Sequence, residues 1–497
     1  MSKLITNIKQ LTQVRGKDIS FVKAERMNEL PSISDAFLFV KNGVIADFGT
    51  MSEIPNFGDI ETINAKDKIV LPAWCDSHSH SVFTGNRSDE YMQRIKGATY
   101  EDIAKNGGGI LKSSNQINSI SLDDLYEESK KRIKSLILKG TGALEIKSGY
   151  GLSYDSELKM LEVISRLKKS LPIEIKSTFL GAHAVPKNYK KEEYFNLVID
   201  KMLPEFVDKK LVDFVDIFCE ENYFSSDDTK LLCKRANQLD IRVKIHTNQF
   251  NSIGGIRAGV DNGALSVDHL EVMTRDDINA LKNSKTMPVL LPGCSFFLGI
   301  DYANARDLLS NGISFAIASD YNPGSCPTGN MNFILSLACN KLKLTTQQAI
   351  NAATINGAYA MGVSDKTGSI SKGKIANLLI TDKIDSIDDS CKPDYYKGAM
   401  VVAPGRDYHY YRLNDENVWT HKPGYKPSTA LDSNNNEIID PQLAARDYGG
   451  TLHYKDFCGY YCVPRNKNRK DMSHANQWNS CLLYTSDAAD EEDSVDL

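Results

Sequence analysis

His78 and His80 stand one residue apart at the end of an apolar run, so on an extended chain both imidazoles project from the same side and can grip one metal ion together. Alone, a His-x-His pair in a soluble protein is more often structural than ligating. His246 and Asp320 change that reading, because each ends a later apolar segment. Three imidazoles and a carboxylate make a ligand set for zinc or iron with room for a water. Such an ion lowers the pKa of a water bound to it. The chain has nine histidines; the five before residue 400 are His78, His80, His183, His246 and His269, and all five end strand-like segments. Random placement does not readily produce that pattern. Sulfur ligation fits less well: no cysteine pair at zinc-finger spacing lies near these positions, Cys326 reads as a loop thiol, and Cys458 with Cys462 is too little for a zinc site.

The elements that must position these residues are apolar segments alternating with helical stretches such as 122–138. They fall at 69–76, 142–147, 173–180, 212–218, 241–245, 265–267, 287–291 and 313–318. Eight such segments are the number that closes a (β/α)₈ barrel, whose C-terminal strand ends converge on one face. Seven of them run into polar residues, among them Ser148 and Tyr150, Glu220 and Glu221, His269 and Glu271, and Asp320 and Asn322. The expected fold is therefore α/β, with the barrel over 69–362. A small β-sandwich is expected from 1–68 together with 363–383, its second part incomplete. Residues 384–480 read as an aromatic-rich appended segment, and 481–497 as an artefactual or disordered tail.

Across 497 residues, 64 acidic side chains nearly balance 59 basic ones. The resulting net charge of -5 gives no global attraction to nucleic acid or anionic membrane, which leaves a small-molecule partner. The first residues lack the apolar core of a signal peptide, no run reaches the length of a membrane span, and ten scattered cysteines suit reduced thiols; the expected location is the cytoplasm.

Residues 1–382 resemble the imidazolonepropionases of the amidohydrolase superfamily. The motifs that carry the resemblance are Asp76-Ser77-His78-Ser79-His80, Lys96-Gly97-Ala98-Thr99-Tyr100 with Gly107-Gly108-Gly109-Ile110, Lys147-Ser148-Gly149-Tyr150-Gly151-Leu152, Phe179-Leu180-Gly181-Ala182-His183, and Ser319-Asp320-Tyr321-Asn322-Pro323-Gly324-Ser325. The resemblance implies opening of the cyclic amide of 4-imidazolone-5-propanoate to N-formimidoyl-glutamate, with one divalent metal, zinc or iron, on His78, His80, His246 and Asp320. It further implies a substrate pocket of Arg87, Tyr100, Tyr150, His183, Gln249, Asn322, Gly324 and Ser325. In that scheme Asp320 accepts the proton of water, while His269 and His183 stabilise the oxyanion or relay protons. Arg87 offers a fork of donors suited to a carboxylate, against the plainer reading of a surface arginine; Tyr100 could equally be packing, and Pro323-Gly324 a turn. Gln249 stands where many relatives carry glutamate, and an amide can bind substrate but cannot shuttle a proton. Lys147 and Lys176, near strand ends, keep open a two-metal site bridged by a carboxylated lysine. Rival readings are another cyclic amidohydrolase, a nucleobase deaminase, or a non-functional fusion. The assembly state is open, a homodimer among the options.

Overall fold

The computed structural model describes residues 2–382, 395–403, 407–414, 418–421, 428–447, 454 and 456–464. The tail read at 481–497 lies outside the described residues, as do the side chains of Tyr100, Cys458 and Cys462. The chain forms two compact units, one of residues 1–64 and 70–379, the other of 65–69 with the described residues from 380 onward.

The first unit opens with a sheet in which β1 (Ser2–Thr12), β2 (Ser32–Lys41) and β3 (Val44–Thr50) pair antiparallel and β4 (Glu61–Asn64) lies parallel to β1. The β2–β3 hairpin turns on Asn42-Gly43, both at positive φ (54° and 78°), the two-residue turn whose twist matches that of the flanking strands. Chain from after the barrel returns to this hairpin: Ile45 donates its N–H to the Lys374 carbonyl, Gly373 to Ile45 and Ala376 to Gly43, each at 2.8 Å. β5 (Lys68–Pro72) and, after the barrel, β14 (Leu378–Asp382) run across the division between the two units.

Eight parallel strands follow: β6 (Trp74–Asp76), β7 (Thr141–Lys147), β8 (Glu174–Ala182), β9 (Phe214–Cys219), β10 (Arg242–Thr247), β11 (Ser266–His269), β12 (Met287–Leu290) and β13 (Ala316–Ile317). Their neighbours run in unbroken sequence order, the arrangement of a barrel wound from successive βα units. The helices between them begin where side chains cap them. Ser121 opens Leu122–Leu138, the helix expected from the sequence, while Ser225 with Asp228 and Thr274 with Asp277 form reciprocal capping boxes.

Two strands differ from expectation. The segment 69–76 is broken at Ala73, whose N–H goes to the Asn377 carbonyl (2.9 Å), so only Trp74–Asp76 joins the barrel. The eighth strand shrinks from 313–318 to Ala316–Ile317. Both are short because the barrel closes beyond its ladder. Asp320 N–H donates to the His78 carbonyl (2.9 Å), His80 N–H donates to the Tyr321 carbonyl (2.8 Å), and Ser79 and Tyr321 form an isolated parallel bridge. Just below, the Asp76 carboxylate accepts from Ser319 N–H (2.9 Å) and Ser319 Oγ (2.6 Å).

In the second unit β15 (Tyr395–Ala403), β16 (Asp407–Leu413), β17 (Trp419–His421) and β18 (Asp456–Pro464) form an antiparallel sheet in the order β17-β16-β15-β18. Tyr411 and Trp419 are buried in it, and His409 Nε2 lies 2.6 Å from His421 Nδ1. Among the described residues, no helix is long and apolar enough to cross a membrane.

Candidate active site

The barrel seam gathers the chemistry. His78 and His80 follow β6, His246 lies on β10, His269 ends β11 and Asp320 follows β13, all buried. His80 Nε2 is 3.3 Å from His246 Nε2 and 3.5 Å from Asp320 Oδ1, and His78 Nε2 is 3.6 Å from the same oxygen. Donors held about 2.1 Å from a common ion in a tetrahedral shell stand about 3.4 Å apart, so these spacings suit one cation. His78 Nε2 has no hydrogen-bond partner among the described residues, an expensive condition for a buried nitrogen unless it ligates. The residues fit the metal that the sequence implies.

Carboxylates behind the imidazoles fix their orientation. Asp268 Oδ2 lies 2.7 Å from His78 Nδ1, and Asp216 Oδ2 lies 2.9 Å from His246 Nδ1, so a carboxylate stands behind each ring on the side away from the Nε2 that faces the centre. The carboxylates are themselves held by buried ammonium groups. Lys147 Nζ reaches Glu145 (2.7 Å), Asp216 (2.8 Å) and Asp268 (3.7 Å), and Lys244 Nζ reaches Glu145 (2.6 Å) and the Ser77 carbonyl (2.7 Å). Burial disfavours the Lys147 cation, but Asp216, Glu145 and Asp268 outweigh it and hold its pKa well above the ordinary value. An ammonium so committed is a poor candidate for carboxylation, and Lys176 pairs with Asp213 (3.2 Å), so neither lysine suits a metal bridge.

Electrostatics separates the imidazoles by task. Burial pushes His246 down to about 4 and His183 to about 3, and holds His78 and His80 well below the ordinary histidine value, leaving neutral rings as ligation requires. For His269 burial works in the same direction, but Glu271, Asp320 and Asp268 override it and raise its pKa, favouring a cation. Burial lifts Asp320 to about 6, with His269 opposing. His269 and Asp320 also hold positive φ (91° and 53°), backbone strain of the kind that collects at functional sites.

A small pocket opens over this centre, lined among others by Arg87, Tyr150, His183, Gln249, Asn322 and Ser325. Arg87 is buried, its Nε donating to Glu90 (2.8 Å), so it is no surface arginine. His183 Nδ1 donates to the Gly149 carbonyl (2.9 Å) in the neutral form, which leaves Nε2 as an acceptor, and its ring stacks on that of His80. Gly324 lies against Arg87 so closely that a Cβ there would meet its Cζ at 2.2 Å. Gly324→Ala is therefore expected to displace the guanidinium and raise KM about tenfold, ~1.4 kcal/mol, with a much smaller change in kcat, as steady-state kinetics will show.

The profile of the amidohydrolase family matches residues 69–406. The imidazolonepropionase of Flavobacterium johnsoniae is 54% identical over 388 residues, covering 78% of this chain and 94% of the relative. The Bacillus cereus enzyme of the same name is 39% identical over 385 residues, 77% of this chain and 90% of the relative. The chain is an amidohydrolase of the imidazolonepropionase family. Among solved structures, a triazine hydrolase from Arthobacter aurescens superposes with a TM-score of 0.61 at 14% identity, covering 78% of this chain and 89% of that one. Guanine deaminase from C. acetobutylicum superposes at 0.56 with 19% identity, covering 77% and 91%. At such identities the likeness concerns the fold alone.

Within this imidazolonepropionase-family site, not every expected substrate residue faces the pocket with free polar atoms. Asn322 is spent on its own loop: Oδ1 accepts from Gly324 N–H (2.8 Å) and Ser325 N–H (2.7 Å), and Nδ2 donates to the Asp320 carbonyl and to Ser325 Oγ (both 2.7 Å). Ser325 Oγ then points at Asp320 Oδ2 (3.2 Å). Asn322 thus shapes the turn that presents Asp320. Gln249 Nε2 donates to Cys294 Sγ (3.2 Å), an anchor that fixes the amide. Sequence reasoning missed Asp216, Asp268, Lys147 as a cation, Lys244 and Cys294. It also missed Glu157, whose carboxylate accepts from the Gly149, Gly151 and Leu152 N–H groups and so holds the loop carrying Tyr150.

Proposed function

We propose that the chain hydrolyses 4-imidazolone-5-propanoate to N-formimidoyl-L-glutamate, a step of histidine degradation, using one divalent cation, zinc or iron, held by His78, His80, His246 and Asp320. The observation that carries this reading is a neutral histidine cluster at cation spacing beside a buried arginine, in a chain 54% identical to a protein named imidazolonepropionase. When bound, the cation lowers the pKa of water and polarises the ring carbonyl.

The chain's own groups supply the rest. Arg87 receives the propionate carboxylate and orients the ring. Asp320 Oδ2, steadied by Ser325, takes the proton from the attacking water. His269, kept cationic by its carboxylate neighbours, faces the oxygen on which negative charge gathers and can return a proton to the departing ring nitrogen. His183 Nε2 and the Gln249 amide hold ring polar atoms; as an amide, Gln249 binds and does not shuttle protons. Water adds across the ring C–N bond: the carbonyl carbon becomes a carboxylate that stays bonded to its neighbouring ring carbon, and the nitrogen takes a proton and stays with the formimidoyl group. The setting we infer is a cytoplasmic enzyme with a small-molecule substrate, without nucleic-acid or membrane partners.

The test follows loss of substrate absorbance with freshly generated 4-imidazolone-5-propanoate. Turnover should vanish with a chelator and return on adding zinc or ferrous iron. His246→Ala should lose both activity and bound metal, since one imidazole donor and its Asp216 support go together. A folded, metal-loaded protein inert toward this substrate would overturn the assignment.

A further inference from the structure

We propose that His269, Glu271 and Cys294 form a second cation site, taking a thiophilic divalent ion such as zinc or cadmium. Their donor atoms lie within 4.8 Å of one another, and all three residues are buried. His269 Nδ1 and Glu271 Oε2 stand 3.6 Å apart, too far for a hydrogen bond, and among the described residues neither atom has a hydrogen-bond partner. A buried imidazole nitrogen and a buried carboxylate oxygen left in this state each cost about 1–3 kcal/mol, and a cation between them removes both penalties.

The backbone builds the cluster. β11 ends at His269, and consecutive left-handed residues, His269 and Leu270 (φ 91° and 68°), turn the chain so that Glu271 comes back beside the imidazole. The other Glu271 oxygen accepts from Ser295 Oγ (3.2 Å), which fixes the carboxylate next to Cys294. Gln249 Nε2 holds the sulfur at 3.2 Å, and Asp320 neighbours it on the side of the catalytic centre. One thiolate, one imidazole and one carboxylate suit zinc and cadmium, whereas the His78, His80, His246 and Asp320 set offers only nitrogen and oxygen. Binding displaces the thiol proton and one proton of the His269 cation, so two protons leave for each ion that enters. An ion at this position ties up His269. On the proposed function, excess zinc therefore inhibits; the site itself does not depend on that function.

The experiment uses the full chain, stripped of metal and titrated with cadmium, reading ultraviolet thiolate-to-cadmium charge transfer alongside equilibrium metal counts. The wild type should take up an ion that generates thiolate absorption, and Cys294→Ser should lose that absorption and one bound equivalent. Glu271→Gln should keep the absorption but shift its midpoint at least about tenfold to higher cadmium. Cys326→Ser should change neither readout, because its thiol is engaged with the Thr328 carbonyl (3.4 Å). Equal absorption and equal stoichiometry in the wild type and a folded Cys294→Ser protein would overturn the site. If that variant does not fold, an unchanged midpoint in Glu271→Gln overturns it instead. Loss of the cadmium signal in Cys294→Ser supports the site even in a protein inert toward imidazolone-propanoate, since that inertness speaks only against the proposed function.

Discussion

Replacing Asp320 by asparagine is expected to lower kcat about a thousandfold, within the ~10²–10⁴ that a positioned acid–base group supplies. The substitution is a clean chemical change. Asparagine tolerates the left-handed backbone at this position (φ 53°), matches aspartate in size, and can keep the contact with Ser325 Oγ. What it loses is the charge facing His78 and His80 Nε2 at 3.6 and 3.5 Å, and the ability to take a proton from water. With both proteins stripped of metal, thermal melting should stay close to that of the parent, while in the untreated variant kcat falls and bound metal declines. A variant retaining most of its kcat would remove Asp320 from the chemistry.

Lys147→Met should destabilise the fold by about 3–5 kcal/mol, the range for breaking a buried ion network from one side. The ammonium sits between Glu145, Asp216 and Asp268, all fully buried, and methionine fills its space but offsets no charge. The loss should depend on pH. In the parent, Asp216 is held well below the ordinary carboxylate range, with His246 and Lys147 overcoming its burial, so it contributes stability that fades as pH falls through its folded pKa. Asp268 is already pushed up to about 6 by burial, and without Lys147 it rises further; a raised carboxylate pKa favours the folded state at low pH and loses that advantage as pH climbs. The deficit should therefore be widest above about pH 6 and narrow below it, as denaturant melts at several pH values will show. Asp216 and Asp268 also orient His246 and His78, so metal affinity should fall about 10–100-fold, measured by competition with a chromophoric chelator. Unchanged affinity would mean that the lysine only stabilises the fold.

Much of this site was legible because a barrel strand has a simple grammar: an apolar run, then a polar residue at its C-terminal end. That rule marked His183, His246, His269 and Asp320 without any contact information. At the two ends of the barrel it drew the strands too long, because closure there rests on an isolated bridge and on Ser319 bonding Asp76, contacts that an apolar run does not record. The supporting charges were hidden for a different reason. Glu145 and Lys147 alternate on β7, and Lys244 alternates with His246 on β10, so each pair shares the inward face of its strand. Charges at such spacing inside buried strands are the signal that could have exposed the network. Arg87 could not be told from a surface residue by sequence, since its burial depends on Glu90 and Gly324.

The place where the barrel closes has a consequence for how the protein opens. His78 belongs to the first turn of the barrel's sequence and Asp320 to its last, yet the segments that carry them adjoin through two backbone bonds and one isolated bridge where other neighbouring strands share a longer ladder. A ligand gripping both residues acts as a clasp across almost the whole barrel chain, closing the longest loop in it for a cost that grows only slowly with length. Without that clasp this seam is the natural line of parting, so emptying the site and loosening the barrel are the same event seen from two sides.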